Sequence, residues 1–186
     1  MTKIRLKNLL FEPYINEDII EKAVEKIAKK INCDFINKDC NQNPPIFISV
    51  LNGAYMFTSD LVKKLDFQAE IVFIKISSYS GLERSNEIKT ILDVDIELKG
   101  RDVIILDEII DSGNSIYHLK EEYLRRGAAS VSAAALILKS NTVRKDLEVE
   151  YYGIDMKEDV FLVGYGLDYD QLGRTLGKIY ALSEEN

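Results

Sequence analysis

The sequence predicts an α/β fold: a mostly parallel central sheet with helices on both faces. Three observations predict it. Short apolar, β-branched runs alternate along the chain with segments of helical periodicity. Several of those runs are apolar at successive positions, as strands covered on both faces must be. Each gives way to a polar turn, and the order strand, turn, helix recurs.

Asn16 has the side chain of an N-cap, Glu17 and Asp18 fall in the first turn, and Ile19, Ala23, Ile27 and Ile31 recur at helical spacing with Lys29 and Lys30 toward the end. An amphipathic helix of about four turns is expected. A polar loop, Asn32 to Pro45, leads to the strand IFISVL (Ile46–Leu51), which stops at Asn52-Gly53 before a helical pattern through Phe57, Leu61 and Leu65. IVFIKIS (Ile71–Ser77) reads as the next strand, and DVIIL (Asp102–Leu106) as another. A loop and a helix from about Ser115 to Arg126 follow, closed by Gly127, and then a strand from Val131 to Leu138. Open parallel sheets bind ligands beyond the carboxyl ends of their strands, so chemistry is expected in the loops starting at Asn52, Ser78, Asp107, Lys139 and Asp168. Ser78 to Glu87 is long, polar and Gly-containing, which suits either a mobile lid or a solvated loop.

A chain of 186 residues fits one domain spanning 1–186, since domains average roughly 150 residues. Its 46% apolar and 30% charged residues, with only 10 Gly and 3 Pro, exclude disordered and collagen-like chains. The longest wholly apolar run is Ala133 to Leu138, far short of the ~20 residues that cross a bilayer, so no membrane contact is expected. The opening MTKIRLKNLLFEPY mixes charges into its apolar residues, unlike a signal peptide, and a cytoplasmic protein is expected. A formal charge of −7 repels polyanions and argues against nucleic-acid binding, though a local site for a small phosphorylated ligand needs only a few donors. Cys33 and Cys40 match neither a CxxC pair nor a zinc spacing and read as plain thiols; the single histidine, His118, reads as a helix residue.

The most informative stretch is LDEIIDSGNSI, Leu106 to Ile116. A strand ends in two acids, Asp107 and Glu108; two isoleucines follow; then Asp111, Ser112, Gly113, Asn114 and Ser115 lead into a helix. Small residues there let successive N–H groups and the Ser112 and Ser115 hydroxyls converge on an anion at a helix N-terminus. Neighbouring carboxylates accept hydrogen bonds from hydroxyls, so cradle and acids together suit a phosphosugar. Taken alone, the segment also reads as an Asx-capped strand-to-helix turn, Phe161 as a core aromatic and Lys139 as a solvated strand-end lysine.

LDEIIDSGNSI resembles the phosphoribosyl pyrophosphate motif of the type I phosphoribosyltransferases, within them the hypoxanthine-guanine phosphoribosyltransferases. LNGAYMFTSDL (Leu51 to Leu61) is similar to the pyrophosphate loop and its helix, SSYSG (Ser77 to Gly81) to the start of the catalytic lid, and FLVGYGLDYDQLGRTL (Phe161 to Leu176) to the purine-binding segment. The resemblance implies that Asp111 is the general base facing the imidazole of the purine. It implies that Ser112, Gly113, Asn114 and Ser115 hold the 5-phosphate, and that Asp107 and Glu108 bind the ribose hydroxyls and can share a ribose-bound magnesium ion. Asn52, Gly53 and Arg174 would contact pyrophosphate, Asp168 would coordinate Mg²⁺, and Ser78 and Tyr79 would close over the reaction. Lys139 would meet the 6-oxo group, Phe161 would stack on the base, and the Leu162 carbonyl would face the purine edge. A small hood formed by the terminal segments and assembly as a homodimer or homotetramer are implied as well.

This chain departs from the family pattern in three places. Asp107-Glu108 stands where Glu-Asp is usual, Asn52 where Lys often precedes the glycine, and Ser112 and Ser115 where threonines are usual. The resemblance implies a purine salvage enzyme acting on phosphoribosyl pyrophosphate and hypoxanthine, with guanine also used. The alternatives weighed are a regulator of the same fold that senses phosphoribosyl pyrophosphate or nucleotides and binds nucleic acid, and a transferase for another base.

Overall fold

A computed structural model describes residues 2–78, 88–92 and 95–184. The chain runs β1 (Ile4–Leu6), β2 (Leu9–Ile15), α1 (Glu17–Phe35), β3 (Ile46–Leu51), α2 (Tyr55–Val62), β4 (Glu70–Ser78) and β5 (Ile88–Leu92). It continues through β6 (Asp102–Ile110), α3 (Asn114–Arg125), β7 (Ser130–Lys139), β8 (Tyr151–Met156), β9 (Leu162–Val163) and β10 (Ile179–Leu182). The larger sheet has the order β5-β4-β3-β6-β7-β8. Its pairings are parallel except that of β5 with β4. A second sheet, β1-β2-β10-β9, is antiparallel and joins the two ends of the chain, the expected hood.

The continuous apolar runs are explained by burial on both faces of the larger sheet. Phe47, Ile104, Leu106 and Leu136 pack in the layer that includes residues of α1 and α2. Their strand neighbours Ile46, Ile48, Val103 and Ile105 pack in the layer that includes Ile116, Leu119 and Tyr123 of α3. Each fully buried aliphatic side chain contributes roughly 1.5–3 kcal/mol, so one strand stabilises two layers through alternate residues. A buried hydrogen bond between Ser49 Oγ and Thr58 Oγ1, 2.7 Å, fastens α2 back onto β3.

Asn16 caps α1 as expected, its side chain accepting from the Ile19 N–H at 2.9 Å. The helix runs on to Phe35, however, past the expected start of a loop at Asn32. Phe35 is buried and stacks on Phe67 at 5.0 Å between ring centroids, which extends the apolar face one further turn from Ile31. Lys30 therefore lies away from the helix end, and its Nζ donates to the Glu150 carbonyl at 2.7 Å. Both thiols are free, but Cys40 is buried in the core while Cys33 is exposed.

The correction that matters for function is the length of β6. A loop was expected to start at Asp107, whereas the strand continues to Ile110, with Asp107 opposite Ala135, Ile109 opposite Ile137 and Ile110 opposite Leu138. Backbone pairing to β7 overrides the polarity of the two acids. Asp107 and Glu108 are thus held on a rigid element.

Candidate active site

The ends of β3, β6 and β7 and one corner of the hood bring the candidate residues together. At the end of β3 the Leu51–Asn52 peptide is cis, one bond before the Asn52–Gly53 peptide. Asn52 is exposed and Gly53 buried. A Cβ on Gly53 would overlap the Glu108 carboxylate, and a Cβ on Gly166, whose φ is +97°, would overlap the Gly53 carbonyl. Two bare backbones therefore allow the β3 turn, β6 and the hood to meet at one point. Gly166 lies within the Phe161–Leu176 stretch, but nothing in the sequence marks it as a contact.

Asp107 is half-buried at this junction, and its loss of solvent together with the neighbouring Glu108 pushes its carboxyl well above the usual range. Burial also raises Glu108, against the lowering effect of its hydrogen bond with Asp107 and of the Arg174 charge. Two adjacent acids drawn partly out of water favour a site that supplies hydroxyl donors or a cation. Arg174 is next to them: its Nη2 pairs with Asp168 Oδ1 at 2.7 Å and its Nη1 donates to the Gly166 carbonyl at 2.8 Å. Asp168 Oδ2 accepts from the Gln171 N–H at 2.8 Å, and Tyr55 donates its hydroxyl to the Arg174 carbonyl at 3.1 Å.

Beyond β6 lies the segment expected to cradle a phosphate. Gly113 takes a left-handed φ of 74° and stands at the N-cap of α3 with no side-chain capping bond. A Cβ there would strike Leu147 and Val143, so the turn is pressed under the segment that follows β7. That segment is tied down by the Arg144 N–H, which donates to the Ser112 carbonyl at 3.1 Å. The Arg144 guanidinium lies 3.6 Å from the centroid of the Tyr117 ring and pairs with Asp146 through Nε at 2.6 Å and Nη2 at 2.7 Å. A helix start whose N-cap has no side chain, with the Asn114 N–H no nearer than 3.5 Å to Ser112 Oγ, Ser112 and Asn114 exposed and Ser115 half-buried, suits a phosphate.

Asp111 and Lys139 meet across the ends of β6 and β7. Lys139, whose side chain is only 8% exposed, places Nζ 3.0 Å from Asp111 Oδ2 and 2.9 Å from Asp159 Oδ1. Thr142 donates its hydroxyl to the other oxygen of Asp111 at 2.6 Å. Burial would raise the Asp111 carboxyl, but the Thr142 and Lys139 hydrogen bonds and the Lys139 charge hold it below its ordinary value. Burial would lower Lys139, and the two acids instead raise it. Lys139 is therefore no solvated strand-end lysine. Thr142 and Asp159 escaped the sequence reading because polar residues in loops are common and these two lie in no periodic pattern.

The backbone direction at Leu162 follows from its register. The Leu182 N–H donates to the Phe161 carbonyl at 2.9 Å, and Leu162 stands opposite Ala181. In an antiparallel pair, hydrogen-bonded and non-bonded positions alternate, so the Leu162 N–H and C=O point away from β10. Since β9 is the edge of its sheet, no strand of that sheet pairs with them. The adjacent Phe161 ring is 47% exposed and stands 6.3 Å from Phe11 and 6.2 Å from Tyr169, edge-on to the latter, two aromatics the sequence reading did not name. Ser78 closes β4, and Tyr79 with the rest of the expected lid lies outside the described residues.

Residues 14–170 match the model of the phosphoribosyl transferase domain, and the chain belongs to that family. Within it, relatives that share one name match over nearly the full length. The chain is 36% identical over 181 residues to the hypoxanthine-guanine phosphoribosyltransferase of Streptococcus thermophilus, covering 97% of this chain and 95% of that protein. It is 33% identical over 178 residues to the Bacillus subtilis enzyme of the same name, covering 95% and 96%. A solved Trypanosoma cruzi hypoxanthine phosphoribosyl transferase superposes with a TM-score of 0.88 at 30% identity, over 98% of this chain and 96% of the other.

Proposed function

We propose that the protein salvages purines, transferring the 5-phosphoribosyl group of phosphoribosyl pyrophosphate to hypoxanthine and guanine and releasing pyrophosphate. The carrying observation is the meeting, at the ends of β6 and β7, of an open helix start with a carboxylate–ammonium pair. The first suits a phosphate; the second suits a base that has both an oxo group and an N–H. Curated relatives that bear this activity over nearly the whole length support the reading.

Displacing pyrophosphate leaves positive charge at the anomeric carbon and gathers negative charge on the leaving group. In this reading Ser112, Gly113, Asn114 and Ser115 hold the 5-phosphate, Asp107 and Glu108 the ribose hydroxyls, and Asn52, Gly53 and Arg174 the pyrophosphate. Asp111 takes the imidazole proton as the new bond to ribose forms. Ser78 and Tyr79 close over the reacting atoms and exclude water. Mg²⁺ fits the donors present, which are hard carboxylate oxygens on Asp168, Asp107 and Glu108. Among the described residues no cluster of three ligands forms, so one or two carboxylates would share the ion with substrate oxygens. When bound, the ion neutralises charge on the departing pyrophosphate. Asp168 keeps lone pairs for this role beside its bonds to Arg174 and Gln171.

Base choice tests the reading. Lys139 donates to a 6-oxo group, whereas the 6-amino group of adenine sets donor against donor. The Leu162 carbonyl accepts from the 2-amino group of guanine, tolerates the hydrogen of hypoxanthine, and opposes the 2-oxo group of xanthine. In competition at equal concentrations, hypoxanthine and guanine should be consumed on the order of 10²-fold faster than xanthine or adenine. Xanthine or adenine consumed first would overturn the placement of Lys139 and Leu162.

Asn52 offers pyrophosphate a neutral donor, and a charge-assisted contact is about twice as strong. Asn52→Lys is therefore expected to lower the KM for phosphoribosyl pyrophosphate. An unchanged or raised constant in steady-state kinetics would assign that contact elsewhere. Among the described residues no helix is long and apolar enough to cross a membrane. We place the enzyme in the cytoplasm as one domain over 1–186, free of nucleic acid and assembled as a homodimer or homotetramer. For oligomerisation the support is by analogy: the T. cruzi enzyme was solved to examine the role of its C-terminal region in oligomeric state.

A further inference from the structure

Lys139 is shared between two acids, and the proposed reaction needs only one of them as a base. Asp111 has both oxygens engaged, Oδ1 by Thr142 at 2.6 Å and Oδ2 by Lys139 at 3.0 Å. The Thr142 hydroxyl belongs to a turn fixed on the chain itself, with the N–H groups of Thr142 and Val143 donating to the Lys139 carbonyl at 3.1 and 3.0 Å. Oδ2 is therefore the oxygen left to meet an imidazole N–H, and the ammonium stands on it. An oxygen paired with an ammonium is a poor proton acceptor. On its far side the same ammonium is held at 2.9 Å by Asp159, from the segment that leads into β9 and the purine-facing residues Phe161 and Leu162.

We propose that Asp159 is a positioning residue for purine recognition: it anchors the Lys139 ammonium so that a 6-oxo group can take the place of Asp111 Oδ2, freeing that oxygen for the imidazole proton. The proposal rests on the reading of Lys139 as the contact to the 6-oxo group. No charge has to move far, because an ammonium carries three N–H donors and needs only to redirect one. The oxo group is then read twice, once in binding and once in making the base available. A purine without it would leave Lys139 on Asp111, so part of its penalty falls in kcat. Without Asp159 the ammonium has one carboxylate left, and the purine must compete with Asp111 for it.

The test is steady-state kinetics of the full chain with Mg²⁺, varying hypoxanthine and phosphoribosyl pyrophosphate in turn, for Asp159→Asn, Asp159→Glu, Lys139→Met and the double variant. Loss of one charge-assisted hydrogen bond predicts that Asp159→Asn raises the KM for hypoxanthine about tenfold and lowers kcat, with the KM for phosphoribosyl pyrophosphate held within about twofold. Asp159→Glu restores most of the loss. In the Lys139→Met background, removing Asp159 costs nothing more, because the two residues act as one unit. Constants for Asp159→Asn that match the wild type would overturn the proposal, as would an equal rise in both KM values or an effect that persists in the Lys139→Met background. Normal hypoxanthine constants for Lys139→Met would remove the purine role of Lys139 and this proposal with it. A large effect of Lys139→Met beside none of Asp159→Asn would remove this proposal alone.

Discussion

Asp111→Asn is expected to lower kcat for nucleotide formation by ~10²-fold or more, the range of a general base, with little change in the KM for phosphoribosyl pyrophosphate. Asparagine keeps the size of the side chain and an acceptor for Thr142, but it cannot take up a proton. The carboxyl is held below its ordinary value by Thr142 and Lys139 against the effect of burial, so it is ionised throughout the neutral range. Mild acid should therefore not mimic the substitution. A folded-state value below the unfolded one also means that the Asp111 pair stabilises the fold above the unfolded value, near 3.8, and that this contribution is lost as pH falls through the folded value. Turnover within a few-fold of the wild type would exclude Asp111 as the base.

Exhaustive removal of divalent cations is expected to abolish transfer, and Mg²⁺ to restore it. Pyrophosphate leaves poorly unless its charge is neutralised. Arg174 is the one cation placed by the proposal at that end of the site, and it is already shared between Asp168 and the Gly166 carbonyl. The neighbouring acids Asp107 and Glu108 supply no positive charge there, so a divalent cation is expected to balance the polyanion. Full activity in the presence of a strong chelator would overturn the mechanism, whereas weakened activity restored by Mn²⁺ would support it.

What the sequence made legible followed from local patterns. The strand Ile46–Leu51 was read with its observed bounds because it is apolar on both faces and stops at Asn52-Gly53. The Asn16 cap needs only its own helix. The far end of β6 was misread because pairing with Ala135 and Ile137, information from another strand, outweighs the polarity of Asp107 and Glu108. The hood was accessible only through resemblance. β9 is two residues long, too short for any period to show, and β2 pairs with a strand from the opposite end of the chain, Ile15 opposite Ile179. The same divide runs through the site. Asp111, Gly113 and Lys139 stand in recognisable surroundings, while Thr142, Asp159 and Gly166 matter through contacts that only folding creates.

In the proposed reading, a purine held at the β9 edge beside Leu162 is a substitute for a missing strand. A planar base that hydrogen-bonds to a backbone carbonyl at a sheet border occupies the slot where another chain would otherwise add itself. Because the recognising atom belongs to the main chain, exchanging Leu162 for another apolar residue leaves discrimination at the 2-position untouched. A slip of one residue between Leu162 and Ala181 would instead turn that carbonyl inward toward β10. On that reading, selectivity for the base is stored in strand alignment, and insertions or deletions nearby, more than point substitutions, are what would rewrite it.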